Sequence, residues 1–332
     1  MVQYLGYPYV RGQRLKSNEN LRELVSQYNV SINDLVMPIF VTEDSDENLN
    51  ILKMPGIKRI QIKNLEKVVE NLVEKGIKAV AIFPKVEESK KSTDAKEVIN
   101  PNNLICRCLK LLSKKFPKLP VICDIALDAY TLSGQDGLID EDGLILNDLT
   151  VSKLIEMSLN FADSGAKVLA PSDMMDGRVK LIRKHLEENK FHNVCILSYS
   201  AKFCSELYKP FREALGSEKY LGSSSKETYQ IDVRNSFDAF KRIQEDINEG
   251  ADIVMIKPAS FYLDIIKKIS DKIDIPIAAY QVSGEYYMIK NASENGIFNY
   301  NEIVLESLNS IKRAGANIIF TYFAEEVSEW LK

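Results

Sequence analysis

Lys257 closes the apolar run Ile253-Val-Met-Ile256, so its amine sits where a buried strand reaches the edge of its sheet. Desolvation there disfavours the ammonium. A second cation nearby lowers the amine's pKa further, and a neutral amine can attack a ketone to form a Schiff base. The plain alternative is a lysine that snorkels to solvent or pairs with a carboxylate. Lys202 ends the segment Ser198-Tyr-Ser-Ala-Lys202 and, by the same count, stands at the mouth of the neighbouring strand. Alone it reads as a solvated loop lysine. Beside Lys257 it becomes half of a pair in which each amine disfavours the other's charge.

Such a pair needs strands that end together. Short apolar runs recur at 35–41, 78–84, 119–125, 167–171, 194–199, 253–257, 276–281 and 317–322, without polar alternation. Runs of this kind suit strands buried on both faces of a parallel sheet. Amphipathic stretches lie between most of them. The spacing predicts helices over 64–76, 150–165, 237–250 and 301–315, with Thr150 as a cap and Gly165 as a stop. Eight buried strands alternating with helices predict a (β/α)8 TIM barrel. The rival, an open doubly wound sheet, usually announces a Gly-rich phosphate turn after an early strand, and none is present. Residues 1–30 are aromatic, basic and aperiodic, and read as an extended N-terminal arm that contacts another subunit. The barrel is then 31–332.

The chain has 332 residues, 45% apolar and 27% charged, with a net charge of −4. That balance excludes a disordered or fibrous chain. It provides no positive excess for nucleic acid or acidic membrane, and no apolar run approaches the ~20 residues needed to cross a bilayer. The start lacks a basic segment leading into an apolar one, so no secretory signal is expected. Five cysteines, an odd number in a long chain, read as reduced thiols, and the expected compartment is the cytoplasm.

In a barrel the chemistry lies at strand ends. Those ends read Cys123-Asp-Ile-Ala-Leu-Asp-Ala-Tyr130, Ala170-Pro-Ser-Asp173, Ser198 to Lys202, Ile256-Lys-Pro258, Gln281-Val-Ser-Gly284 and Thr321-Tyr-Phe323. With Ala170-Pro-Ser-Asp-Met-Met-Asp-Gly-Arg178, Lys209-Pro-Phe-Arg-Glu-Ala214, Gly250-Ala-Asp-Ile-Val-Met-Ile-Lys-Pro258 and Val282-Ser-Gly-Glu285, the chain resembles the 5-aminolevulinate dehydratase (porphobilinogen synthase) family over nearly its whole length.

That resemblance implies a hydro-lyase of tetrapyrrole (heme) synthesis. Two 5-aminolevulinate molecules would join as porphobilinogen with loss of two waters, the first bound as an imine on Lys257 and the second on Lys202. It further implies that Ser283 and Tyr322 hold one substrate carboxylate and Arg212 the other, since a guanidinium matches a carboxylate in a two-bond fork. The usual second basic partner falls in Gly222-Ser-Ser-Ser-Lys-Glu-Thr228, about two residues longer than usual, where Lys226 is the candidate. Asp124, Ser172 and Asp173 complete the polar floor, and Asp124 can shuttle protons. Tyr208 and Phe211 cover the substrate from a lid around 200–230.

Where zinc-dependent members carry three cysteines, this chain has Ala126, Asp128 and Asp136. Zinc favours thiolate and imidazole, so it is not expected. Cys106 and Cys108 stand two apart in a predicted helix and do not share a face. A magnesium-binding Glu, fifteen residues before the Schiff-base lysine in some members, is Arg242 here. A guanidinium cannot ligate a cation but can replace its charge, so the expectation is that neither metal is needed. Asp128 and Asp136 could still gather magnesium or potassium weakly; otherwise they belong to a solvated acidic loop with Asp140, Glu141 and Asp142. The family's assemblies suggest a homo-octamer, or a hexamer. Two readings compete with this one. A Schiff-base aldolase needs only one lysine and a phosphate site. A non-catalytic barrel should lack one of the two lysines.

Overall fold

The computed structural model describes residues 6–216, 218–221 and 225–331. Among these residues nine strands form: β1 (Leu35–Thr42), β2 (Arg59–Gln61), β3 (Ala79–Pro84), β4 (Val121–Ile125), β5 (Val168–Pro171), β6 (Cys195–Lys202), β7 (Ile253–Lys257), β8 (Ile277–Gln281) and β9 (Ile318–Thr321). All pair in parallel, in the order β1-β3-β4-β5-β6-β7-β8-β9, and β9 returns to β1 through Leu35↔Ile319 and Val36↔Phe320. The ring is a closed eight-stranded (β/α)8 barrel, and the expected runs coincide with its strands. The three-residue β2 lies outside the ring against β1 and is too short to leave an apolar signature in the sequence.

Closure explains the apolar runs. Every residue of β1 is buried, because one face meets the barrel interior and the other the helix layer. The helices Ile62–Glu74, Leu104–Lys115, Ser236–Asn248 and Tyr300–Ala314 turn their apolar faces inward. Cys106 and Cys108 are both buried within the second of these. Asn103, Asn235 and Asn299 cap three of the helices through their side-chain oxygens. Thr150 is not the cap expected of it. Its helix begins at Asn147, and the Thr150 hydroxyl bonds Leu138 N and Leu146 O instead. Gly315 ends the Tyr300–Ala314 helix at φ +120°, where a Cβ would lie 2.3 Å from Ser270 Cβ, so only glycine fits.

Residues 6–29 are exposed apart from a half-buried Leu21, and the chain joins the barrel at Val30, whose N–H bonds Asn309. Tyr7 and Tyr9 are among the most exposed aromatics.

Candidate active site

The C-terminal ends of four adjacent strands meet in one small cavity of about 30 Å³. β4 contributes Asp124, the turn after β5 Ser172, β6 Lys202 and β7 Lys257. Lys202 and Lys257 are register partners across β6 and β7. Each is only 6% exposed, so neither is a snorkelling lysine.

Lys257 stands in an aromatic box. Its Nζ lies 4.5 Å from the centre of the Tyr280 ring, 5.0 Å from those of Tyr199 and Phe211, and 5.2 Å from that of Tyr208. The amine makes no hydrogen bond or ion pair with a described residue. Burial, and then the charge of Lys202, pulls its pKa down from 10.5 to about 7, against attraction from Asp124, Asp136 and Asp128. At pH 7 the neutral fraction rises from roughly one in three thousand to about half. Lys202 is placed differently: its Nζ donates to Ser172 O at 2.6 Å and sits 3.3 Å from Asp136 Oδ2. Asp124 lies in the same cavity with an enclosed, unbonded Oδ1. Burial, reinforced by the charge of Asp128, lifts its carboxyl to about 7, which suits a group that gives and takes protons.

A second cluster flanks the lysines. Lys226 Nζ lies 3.1 Å from Asp136 Oδ1 and 3.4 Å from Asp128 Oδ2, with all three groups buried. Burial works against the Lys226 charge, but Asp136 and Asp128 outweigh it and hold the pKa above the ordinary lysine value. Burial likewise works against the Asp136 charge, yet Lys202 and Lys226 keep that carboxyl below its usual range. Asp128 and Asp136 are therefore not part of a solvated acidic loop. The segment bearing Lys226 is tied down by Gln135 Nε2 to Ser225 O and by the Tyr229 hydroxyl to Gln135 Oε1.

The cover of the cavity is a short helix, Lys209–Leu215. The Tyr208 hydroxyl donates to Lys257 O, and Phe211 packs on Phe83 and Phe40. Arg212 lines the cavity, and its guanidinium makes no ion pair or hydrogen bond with any described residue. Its neighbours are engaged elsewhere: Glu213 accepts from Leu52 N and Lys53 N, and Glu206 pairs with Lys209. Residues 217 and 222–224 of the expected lid lie outside the described residues.

Sequence reasoning missed Arg59. Its guanidinium bonds Ala214 O and Glu213 O, in the last turn of the cover helix, as well as Asn48 O and Asn50 O. An arginine on a three-residue strand far from the lid in sequence carries no signal of that role. Gln230, which lines the cavity and reaches Asp136, was also missed.

Three expected site residues stand apart from the cavity. Ser283 Oγ accepts from Phe211 N and donates to Leu207 O, so it fastens the cover. The Tyr322 hydroxyl meets that of Tyr280 at 3.0 Å while its ring stacks on Phe40. Asp173 does not join the polar floor. Its carboxylate turns back to Met175 N and lies 3.5 Å from Arg178 Nε, because a buried acid next to a buried arginine is held by that charge.

The Lys226 ammonium stands between Asp128 and Asp136, and the Arg242 guanidinium pairs with Asp176 and lies 3.6 Å from Asp238. Among the described residues no three His, Cys, Asp or Glu are grouped to hold a metal.

The family described as "Delta-aminolevulinic acid dehydratase" matches residues 9–330. Among curated relatives, the delta-aminolevulinic acid dehydratase of Methanothermus sociabilis is 45% identical over 97% of this chain and 99% of its own length. That of Bradyrhizobium diazoefficiens is 40% identical over 97% of this chain and 91% of its own. The solved delta-aminolevulinic acid dehydratase (porphobilinogen synthase) of Toxoplasma gondii ME49, in complex with the reaction product porphobilinogen, superposes with a TM-score of 0.94. It is 42% identical over 97% of this chain and 91% of that one.

Proposed function

The chain belongs to the delta-aminolevulinic acid dehydratase family, and on that premise we propose that it condenses two 5-aminolevulinate molecules into porphobilinogen through imines on Lys257 and Lys202. The observation that carries this reading is the register pairing of the two lysines at one cavity, with Lys257 drawn to about 7.

Neutral Lys257 attacks the ketone of the first substrate, and the resulting carbinolamine loses water to give an imine. Lys202 binds the second in the same way. An imine acidifies the adjacent carbon and activates the carbon that bears nitrogen, so a carbon–carbon bond forms beside a carbon–nitrogen bond. Each imine releases one water as it forms, and each lysine is expelled as the ring closes. Two waters leave per turnover and both amines are regenerated. Asp124, near 7, carries protons between these steps. Arg212 binds a substrate carboxylate through its fork, with Lys226 as a nearby positive charge. Ser283 and Tyr322 serve the other carboxylate by giving up their bonds to the cover segment and to Tyr280, and Tyr208 and Phe211 exclude water that would hydrolyse the imines. Ser172 orients Lys202 through its carbonyl.

No metal enters these steps. Lys226 and Arg242 supply fixed positive charge beside the carboxylates that would otherwise invite a cation. The exposed arm with Tyr7 and Tyr9 supports self-association as a homo-octamer, or a hexamer. Five unpaired thiols support a reducing compartment such as the cytoplasm. Among the described residues no helix is long and apolar enough to cross a membrane.

The test is to treat the protein with chelator, add 5-aminolevulinate and measure porphobilinogen. Product without added metal is the expected result. Product only after magnesium is restored overturns the metal-free reading. Its absence under both conditions favours a one-lysine aldolase or a binding protein.

A further inference from the structure

β6 carries one residue too many for its partner strand. Ser198 pairs with Val254 and Ala201 with Ile256, three steps on β6 against two on β7. That is a β-bulge. Its consequence is one of parity, because successive side chains of a strand take opposite faces. In an unbroken strand Ser198 and Lys202, four apart, would share a face. Here Ser198 Oγ points outward and donates to Asp246 of the Ser236–Asn248 helix at 2.6 Å. Lys202 points inward, to Ser172 O. Tyr199 also points inward, since its ring faces Lys257 Nζ. Tyr199 and Lys202 are three apart and share the interior only because of the inserted residue. Without it, Lys202 would face the helix layer while Lys257 faced the cavity.

A buried arginine holds both ends of this device. Arg178, 2% exposed, donates to Ser198 Oγ at 3.1 Å, to Asp246 Oδ1 at 3.1 Å and to Met175 O at 3.3 Å. Its Nε lies 3.5 Å from Asp173 Oδ2. Ser198 is the residue that opens the bulge, and Asp173 follows the serine whose carbonyl receives Lys202 Nζ. The turn between Asp173 and Arg178 includes Met174 at φ +70°, a left-handed conformation that a non-glycine residue keeps only when its surroundings hold it. None of Arg178, Asp246 and Ser198 lines the cavity.

We propose that Arg178, with Asp246 and Ser198, is a positioning group that fixes the bulge in register and thereby keeps Lys202 aimed at the substrate. The proposal rests on the reading of Lys202 as an imine-forming residue.

The experiment is borohydride trapping of the full-length protein with 5-aminolevulinate, mapping the reduced adducts by peptide mass. Unaltered protein should carry adducts on both Lys202 and Lys257. In Ser198→Ala the Lys202 adduct should form about tenfold more slowly, the worth of one charge-assisted hydrogen bond, with Lys257 labelling retained. Ser198→Thr, which keeps the hydroxyl, should restore it. Arg178→Lys should show the same selective loss, and should it fail to fold, Ser198→Ala still decides. Undiminished Lys202 labelling in folded Ser198→Ala overturns the positioning role, as does equal loss at both lysines. Absence of a Lys202 adduct in the unaltered protein overturns the imine assignment and the proposal with it.

Discussion

Lys226 Nζ stands 3.1 Å from Asp136 Oδ1, with both groups buried. The same carboxylate places its other oxygen 3.3 Å from Lys202 Nζ. Asp136 thus links Lys226 to Lys202. Lys257 Nζ has no such carboxylate partner among the described residues, and burial draws its pKa down to about 7. This asymmetry supports the proposal that the first imine forms on Lys257.

Removing the charge of Lys226 should expose two facing carboxylates. Breaking one partner out of a buried ion pair costs about 3–5 kcal/mol. Lys226→Met should melt several degrees lower and bind 5-aminolevulinate more weakly. Thermal unfolding and steady-state kinetics check this. An unchanged Tm together with an unchanged KM would exclude the structural charge assigned to Lys226.

The rate of imine formation at Lys257 should rise with pH through about 7, because the amine must lose its proton to attack. In Lys202→Met the repelling charge is gone, the ammonium is favoured, and the midpoint should move to higher pH. In Asp124→Asn an attracting charge is gone and the midpoint should move lower. Borohydride trapping at Lys257 across pH reads both shifts. A midpoint near the ordinary lysine value in the unaltered protein would contradict the desolvated amine.

Arg212 has no ion-pair partner among the described residues and faces the cavity. Arg212→Leu should raise KM by about tenfold to a hundredfold, the worth of a charged hydrogen bond, while kcat changes less. Arg212→Lys should be intermediate, since a point charge replaces the fork. The methyl ester of 5-aminolevulinate should discriminate poorly between the unaltered protein and Arg212→Leu. Equal KM values for the free acid across the three proteins would remove Arg212 from carboxylate binding.

The fold was legible because doubly buried strands leave apolar runs with no alternation, and eight of them stand in the sequence. Lys257 was legible for the same reason: a lysine directly after Ile253-Val-Met-Ile256 has nowhere to sit but a strand end. Lys202 was legible only as the second member of a pair. Thr150 misled because a cap-type residue one turn inside a helix looks the same in sequence as a cap.

Tertiary structure alone decided which polar residues share the cavity. Asp128 and Asp136 read as an exposed acidic loop until Lys226, ninety residues further along, was seen between them. Asp173, adjacent to the site residue Ser172, was drawn away by Arg178, and Arg59 reached the cover helix from a strand too short to notice. The sequence by itself determined the barrel and the place of Lys257 at a strand end, since burial periodicity is a local property. The facing of Lys202 depended on a one-residue offset between β6 and β7, which only strand pairing reveals, because parity is a property of two strands and not of one.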